Sequence, residues 1–135
     1  MTDNAAVDGL RILATQHSVP EALSRVRSLA LERGLTVFAQ IDFSGDAQRS
    51  GLSLSPTAMI MVGNPAAGTP LIAASPTSAI DLPLKILAWQ DAEGRRWLAY
   101  NEPDYVKKRH GIAPELVKNI AGIAALAAAA AGSGR

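Results

Sequence analysis

Three short stretches hold the residues whose types and spacing could do chemistry. Residues 63–71, Gly63-Asn64-Pro65-Ala66-Ala67-Gly68-Thr69-Pro70-Leu71, set two glycines, an amide and a hydroxyl directly after the apolar run 58–62. Residues 81–85, Asp81-Leu82-Pro83-Leu84-Lys85, place a carboxylate and an amine four positions apart. The run Lys107-Lys108-Arg109-His110 ends in one of only two histidines. A Gly-rich turn after a strand is where phosphates are cradled, and Asp, Lys and His supply acid–base or electrostatic partners. Asn64, Thr69, Asp81, Lys85, Tyr100, Asn101 and His110 are the candidate ligand-binding residues, a polar strip held by prolines.

Each has an ordinary structural reading beside the chemical one. A phosphate-binding Walker loop needs Lys and Ser/Thr after its second Gly, because the amine reaches the phosphates. Here Gly68 is followed by Thr69 and Pro70, and the dinucleotide pattern G-x-G-x-x-G is also missing. Pro70 further removes an N–H donor that an anion would use. The stretch therefore reads as a strand exit with a capped helix. Lys85 shares a strand face with Leu87 and Trp89, where a lysine snorkels over exposed apolar surface or pairs with Asp81 or Asp42. The basic run 107–110 suits the negative end of a helix dipole. The chain has no Cys and no H-x-H or H-E-x-x-H, so no metal motif and no cofactor motif is visible.

Composition narrows the classes. The 135 residues fit one domain, and 48% hydrophobic against 19% charged residues is a globular balance. Thirteen basic and twelve acidic residues leave +1, which gives no broad attraction to nucleic acid or anionic lipid. Residues 120–131 are mostly Ala and too short for a typical membrane span. The N-terminus lacks the apolar stretch of a secretory signal, so a cytoplasmic protein is expected.

The elements that must position the candidates follow from periodicity. Leu10, Ile12 and Ala14 alternate with Arg11, Leu13 and Thr15, predicting a strand over 9–16 with one mostly buried face. Ser18 and Glu21 form a capping box around Pro20, and Ala22, Leu23, Val26, Leu29 and Ala30 recur at helical spacing up to Gly34. Residues 35–41 alternate as a strand, with Leu35, Val37, Ala39 and Ile41 on one side. Residues 42–56 form a polar connection with one helical turn near Ala47–Arg49, and residues 57–62 a buried strand. Thr69 and Ser75, each before a proline, predict a short, broken helix over 70–80. Residues 84–90 and 95–101 make a hairpin around Asp91-Ala92-Glu93-Gly94. From Pro103 the chain is helical, split by Gly111 and Pro114. The expected class is α+β, an antiparallel or mixed sheet of about five strands with helices on one face. Residues 1–8 are expected to be flexible, 9–113 to form the domain, 114–131 an Ala-rich helix and 132–135 a frayed tail.

Several motifs in order carry a resemblance. Gly63-Asn64-Pro65, Gly68-Thr69, Leu71, Asp81-Leu82-Pro83-Leu84-Lys85, Trp89, Asp91, Gly94, Trp97, Tyr100, Pro103 and Arg109-His110 are similar to the bacterial domain of unknown function 302 family. The likeness covers roughly residues 10–112, outside the Ala-rich tail. It implies a strand, helix, four strands and helix laid out like the TATA-binding-protein fold, often as a homodimer. It implies no activity. Phe43 stands where that family often has His, and Ser55 where it often has Arg.

Three functional expectations stay open. One is a dimeric module binding a small ligand or a partner protein. Another is an enzyme of undetermined class using Asp81, Lys85 and His110. The last is an assembly domain with the aromatic hairpin, Trp89, Trp97, Tyr100 and Tyr105, at its interface.

Overall fold

The computed structural model describes residues 6–132. The expected flexible N-terminus and frayed tail fall largely outside them. Five strands run β1 (Leu10–Thr15), β2 (Thr36–Asp42), β3 (Thr57–Gly63), β4 (Leu84–Gln90) and β5 (Arg96–Asn101). They form one sheet in the order β1-β5-β4-β3-β2, with every pair antiparallel. The helices are α1 (Val19–Glu32), α2 (Phe43–Arg49), α3 (Pro65–Ala74), α4 (Pro103–His110), α5 (Pro114–Val117) and α6 (Ile123–Ala131), with a 3-10 helix at Pro76–Asp81. This is an α+β fold with an antiparallel sheet.

One face of the sheet carries the main core. Ala58, Ile60 and Val62 of β3, Ile86 and Ala88 of β4, and Leu98 and Tyr100 of β5 pack against Ala22, Leu23, Val26 and Ala30 of α1. Ile123, Leu126, Ala127 and Ala130 of α6 complete the same cluster. Helix α1 starts as its capping residues require, with the Ser18 hydroxyl accepting from the Glu21 amide at 3.2 Å. Leu71, Val106, Ile112 and Ile120 form a smaller core where α3, α4 and the segment after α5 meet.

Four local expectations need correction. Helix α3 begins at Pro65 rather than Pro70, because Asn64 is its cap: its Oδ1 accepts from the Ala66 amide at 3.0 Å. Thr69 is not a cap, and Pro70 sits inside the helix. Starting at Pro65 lets Leu71 reach full burial. Residues 43–49 form a complete helix capped by Asp42, more than the single turn near Ala47. The alternation in β2 is broken by an irregularity between Val37 and Ala39, so Leu35 and Val37 pack on the main core while Ala39 and Ile41 pair on the opposite face. In β1 it is Leu13 that packs on the main core, and Ile12 lies on the opposite face.

The Ala-rich segment is also not one helix over 114–131. Residues 118–122 are turns between α5 and α6. Its alanines give close approach rather than exposure: Ala127 and Ala130 are fully buried against the domain. Cationic and polar side chains of α1 and its approach hold its end. Arg25 donates from Nε to the Ala130 carbonyl at 2.8 Å and from Nη2 to Ala129 at 2.9 Å. His17 Nε2 lies 2.9 Å from the Gly132 carbonyl oxygen. Positive charge at the carbonyl end of a helix is favoured by the helix dipole.

Candidate functional site

Two sites emerge where the sequence suggested one strip. The first is a cleft of about 310 Å3 at the end of β2, β3 and β4. Its walls are mainly apolar: Phe38, Pro65, Ile72, Leu82, Leu84 and Ile120 among them. Among the described residues Asn64, Thr69 and Asn119 are the polar side chains in the lining, and no charged side chain lines it. Helix α3 supplies most of one wall, since its cap and first turns run from Asn64 to Thr69. Asn119 closes the other side and donates from Nδ2 to the Ala67 carbonyl at 3.0 Å. Both amides are therefore anchored by one atom. Asn64 keeps its NH2 donors and Asn119 its oxygen acceptor for a visitor.

The second site is a hydrogen-bonded chain joining the 3-10 helix to α4. His110 Nε2 lies 2.6 Å from Asp81 Oδ2, and its Nδ1 lies 2.9 Å from the Thr77 hydroxyl. Arg109 donates from Nη1 to both Asp81 oxygens at 3.2 and 3.1 Å. The His110 and Asp81 side chains are only 5% and 11% exposed, whereas Thr77 is open to solvent. The carboxylate can only accept, so the ring donates from Nε2, and in the neutral ring Nδ1 accepts from the Thr77 hydroxyl. Gly111, left-handed at φ 64°, ends α4 directly after His110 and so fixes where the ring emerges.

The remaining candidates scatter. Lys85 stands on the sheet face away from the helices and donates from Nζ to the Pro83 carbonyl at 2.8 Å. Burial pushes its ammonium below the usual lysine range, and the Asp81 charge opposes that shift. Asn101 lies on the same sheet face, opposite Leu10. Tyr100 does not join any of them: strand alternation turns it into the main core at 8% exposure. Burial raises its phenol above the usual range, with Arg11 opposing and Glu102 adding. Asp81 and His110 are thus brought together, Asn64 and Thr69 share the cleft, and Lys85, Asn101 and Tyr100 belong to neither lining. Phe43 and Ser55 have no part in either site. Among the described residues no group of three His, Asp or Glu is placed to hold a metal ion.

Sequence reasoning missed Thr77, Arg109 and Asn119. The first two become legible only when the 3-10 helix meets α4, 33 residues apart for the Thr77–His110 pair. Asn119 sits in turns that no hydrophobic period marks.

The chain has informative relatives. It is 39% identical over 104 residues, 77% of its length, to two proteins named fluoride-specific ion channel FluC 1, from Brucella suis biovar 1 (strain 1330) and Brucella abortus biovar 1 (strain 9-941). It spans only about two fifths of those relatives, 41% and 38%. Among the described residues no helix is long and apolar enough to cross a membrane. The fold matches the crystal structure of an uncharacterized conserved DUF302 protein from Bacillus stearothermophilus, with a TM-score of 0.75 at 19% identity, covering 93% of this chain and 97% of that one. The family model for the domain of unknown function DUF302 matches residues 12–130, reaching through the Ala-rich segment to α6, and the chain belongs to that family.

Proposed function

We propose that the protein is a cytoplasmic, homodimeric binding module whose cleft takes a small neutral ligand with an apolar body and a carboxamide-like polar edge. The cleft lining carries this reading: among the described residues it has apolar walls, no charged side chain, and three polar side chains that leave a donor of Asn64 and an acceptor of Asn119 without a partner. An anion would leave its charge uncompensated there, and its burial would be costly. The stretch Gly63–Leu71 is then a ligand wall rather than a phosphate cradle.

A matched pair of probes tests it. Benzamide is expected to raise the thermal midpoint through native-state binding, while benzoate, phosphate and fluoride leave it unchanged. Thr69 is exposed at the cleft rim, so Thr69→Trp fills the space without entering the core, and the benzamide shift is expected to vanish. A benzoate shift larger than the benzamide shift would refute the neutral-ligand reading.

A second reading is favoured by the relatives. The Brucella relatives are named fluoride-specific ion channels and this chain spans about two fifths of them; on this reading ion passage belongs to the length that this chain does not span. The chain alone is expected to release no fluoride from loaded liposomes. Release by the purified chain would contradict that division of labour.

A further inference from the structure

We propose that Thr77 is a nucleophile that accepts the acyl group of an uncharged carboxylic ester, with His110 as its base and Asp81 as the positioning residue of the ring. The inference is independent of the cleft, whose lining does not include Thr77.

The geometry supplies the three parts an activated hydroxyl needs. The Thr77 oxygen is 2.9 Å from His110 Nδ1, within reach for proton transfer. The opposite ring nitrogen is 2.6 Å from Asp81, which fixes the tautomer that leaves Nδ1 free to accept. Arg109 Nη1 donates to both Asp81 oxygens and so favours the orientation in which the carboxylate meets the ring. Exposure is graded in the useful direction. Of Thr77, His110 and Asp81, the base and the carboxylate are almost closed off and the hydroxyl is the one a substrate can meet, while Arg109 is half-exposed beside the carboxylate.

The neighbourhood also indicates the substrate class. Side chains three apart in a 3-10 helix eclipse one another, which places Ile80 over Thr77. Ile80 is 70% exposed, an apolar surface beside the hydroxyl on which an acyl chain can rest. In the reaction the Thr77 oxygen bonds to the ester carbonyl carbon and its proton passes to Nδ1. The tetrahedral adduct expels the alcohol, which leaves with that proton. Water then adds to the acyl-threonine by the same proton route, releasing the carboxylic acid and restoring the hydroxyl. The net change is ester plus water to acid plus alcohol.

The test uses the full chain with 4-nitrophenyl butyrate near neutral pH. A stoichiometric burst of nitrophenol is expected, with the butyryl group found on Thr77 by peptide mass mapping. Thr77→Ser should keep the burst. Thr77→Ala, at an exposed position and checked for its native circular dichroism, should lose it by about 100-fold or more. Ile80→Ala should slow acylation by butyrate more than by acetate. Asp81→Asn should lower the acylation rate at saturating ester while leaving the half-saturating ester concentration unchanged, because the side-chain amide can donate to Nε2 and hold the ring in the tautomer whose Nδ1 cannot accept the Thr77 proton. A native wild type carrying no acyl group on Thr77, an equal burst in Thr77→Ala, or acylation confined to Lys85 would each overturn the assignment.

Discussion

Asp91 gathers four hydrogen bonds at the end of the β4–β5 hairpin. Its Oδ1 accepts from the Glu93 and Arg95 amides, each at 2.9 Å, and its Oδ2 accepts from the Trp97 indole at 3.0 Å and from the Arg95 guanidinium at 3.3 Å. The Trp97 bond is the largest influence and holds its carboxyl below the usual aspartate range; burial opposes it, and the backbone bonds from Arg95 and Glu93 and the Arg95 charge add to the lowering. The folded value lies below the unfolded one, so this stabilisation is fully present above the unfolded range, about pH 4, and is lost as pH falls toward the folded value. Asp91→Asn is therefore expected to lower the thermal midpoint at neutral pH and to narrow its gap to wild type on acidification, measured by melting at both pH values. Ser78 has the opposite character. Its hydroxyl is fully buried without a hydrogen-bond partner among the described residues. Ser78→Ala should leave stability unchanged or raise it by about 1 kcal/mol in urea unfolding, since an unsatisfied buried hydroxyl is unfavourable. At this scale the sequence was informative where a residue type is rare. One of two histidines and an aspartate in a Pro-rich turn could be singled out, and they meet. Thr77 could not, because nothing distinguishes one exposed Thr until a ring nitrogen lies beside it.

Elements with paired signals were legible, and those with competing signals were not. Helix α1 had its capping box, its apolar stripe and Gly34, which sits at φ 75° just past the helix. Thr69-Pro70 predicts the start of helix α3, whereas the helix starts at Asn64-Pro65, a pair of the same cap–proline form that the sequence reading passes over; local rules do not rank the two. Tertiary packing does, because the earlier start delivers Leu71 to the small core. The irregularity in β2 was hidden for a related reason: a strand that alternates without a break still changes face when one residue is skipped. Gly9 shows another demand. At φ 81° it lies against the Tyr105 ring, where any Cβ would collide. Helix α6 depends on its latch. Arg25→Ala removes both bonds to the Ala129 and Ala130 carbonyls and should destabilise by about 1–2 kcal/mol, read from the urea midpoint at constant slope. A change under a few tenths of a kcal/mol would mean that the apolar face of α6 alone holds it.

Across the whole molecule the sheet has two unequal faces. The face away from α1 and α6 carries the row Ile41, Met59, Leu87, Ala99 and Ile12, one residue from every strand. Trp89 and Trp97 pair directly across the hairpin beside it. Apart from Ala99, these side chains remain partly exposed. The dimer proposed above would cover this row, since a continuous apolar surface favours association. Leu87→Glu places a charge at its centre and is expected to yield monomers by analytical ultracentrifugation with native circular dichroism; an undisturbed dimer would move the interface elsewhere. The fold class and the hairpin could be read from alternation and turn chemistry. The split into a cleft and a separate Thr77–His110–Asp81 chain could not, because it depends on how the 3-10 helix lies between α3 and α4. The most direct test of the account is an amide chemical-shift titration with benzamide. Saturable shifts are expected at Asn64, Gly68, Thr69 and Asn119, and they should be absent in Thr69→Trp. Shifts confined to β1 and β5, or equal shifts with benzoate, would contradict the neutral-ligand cleft.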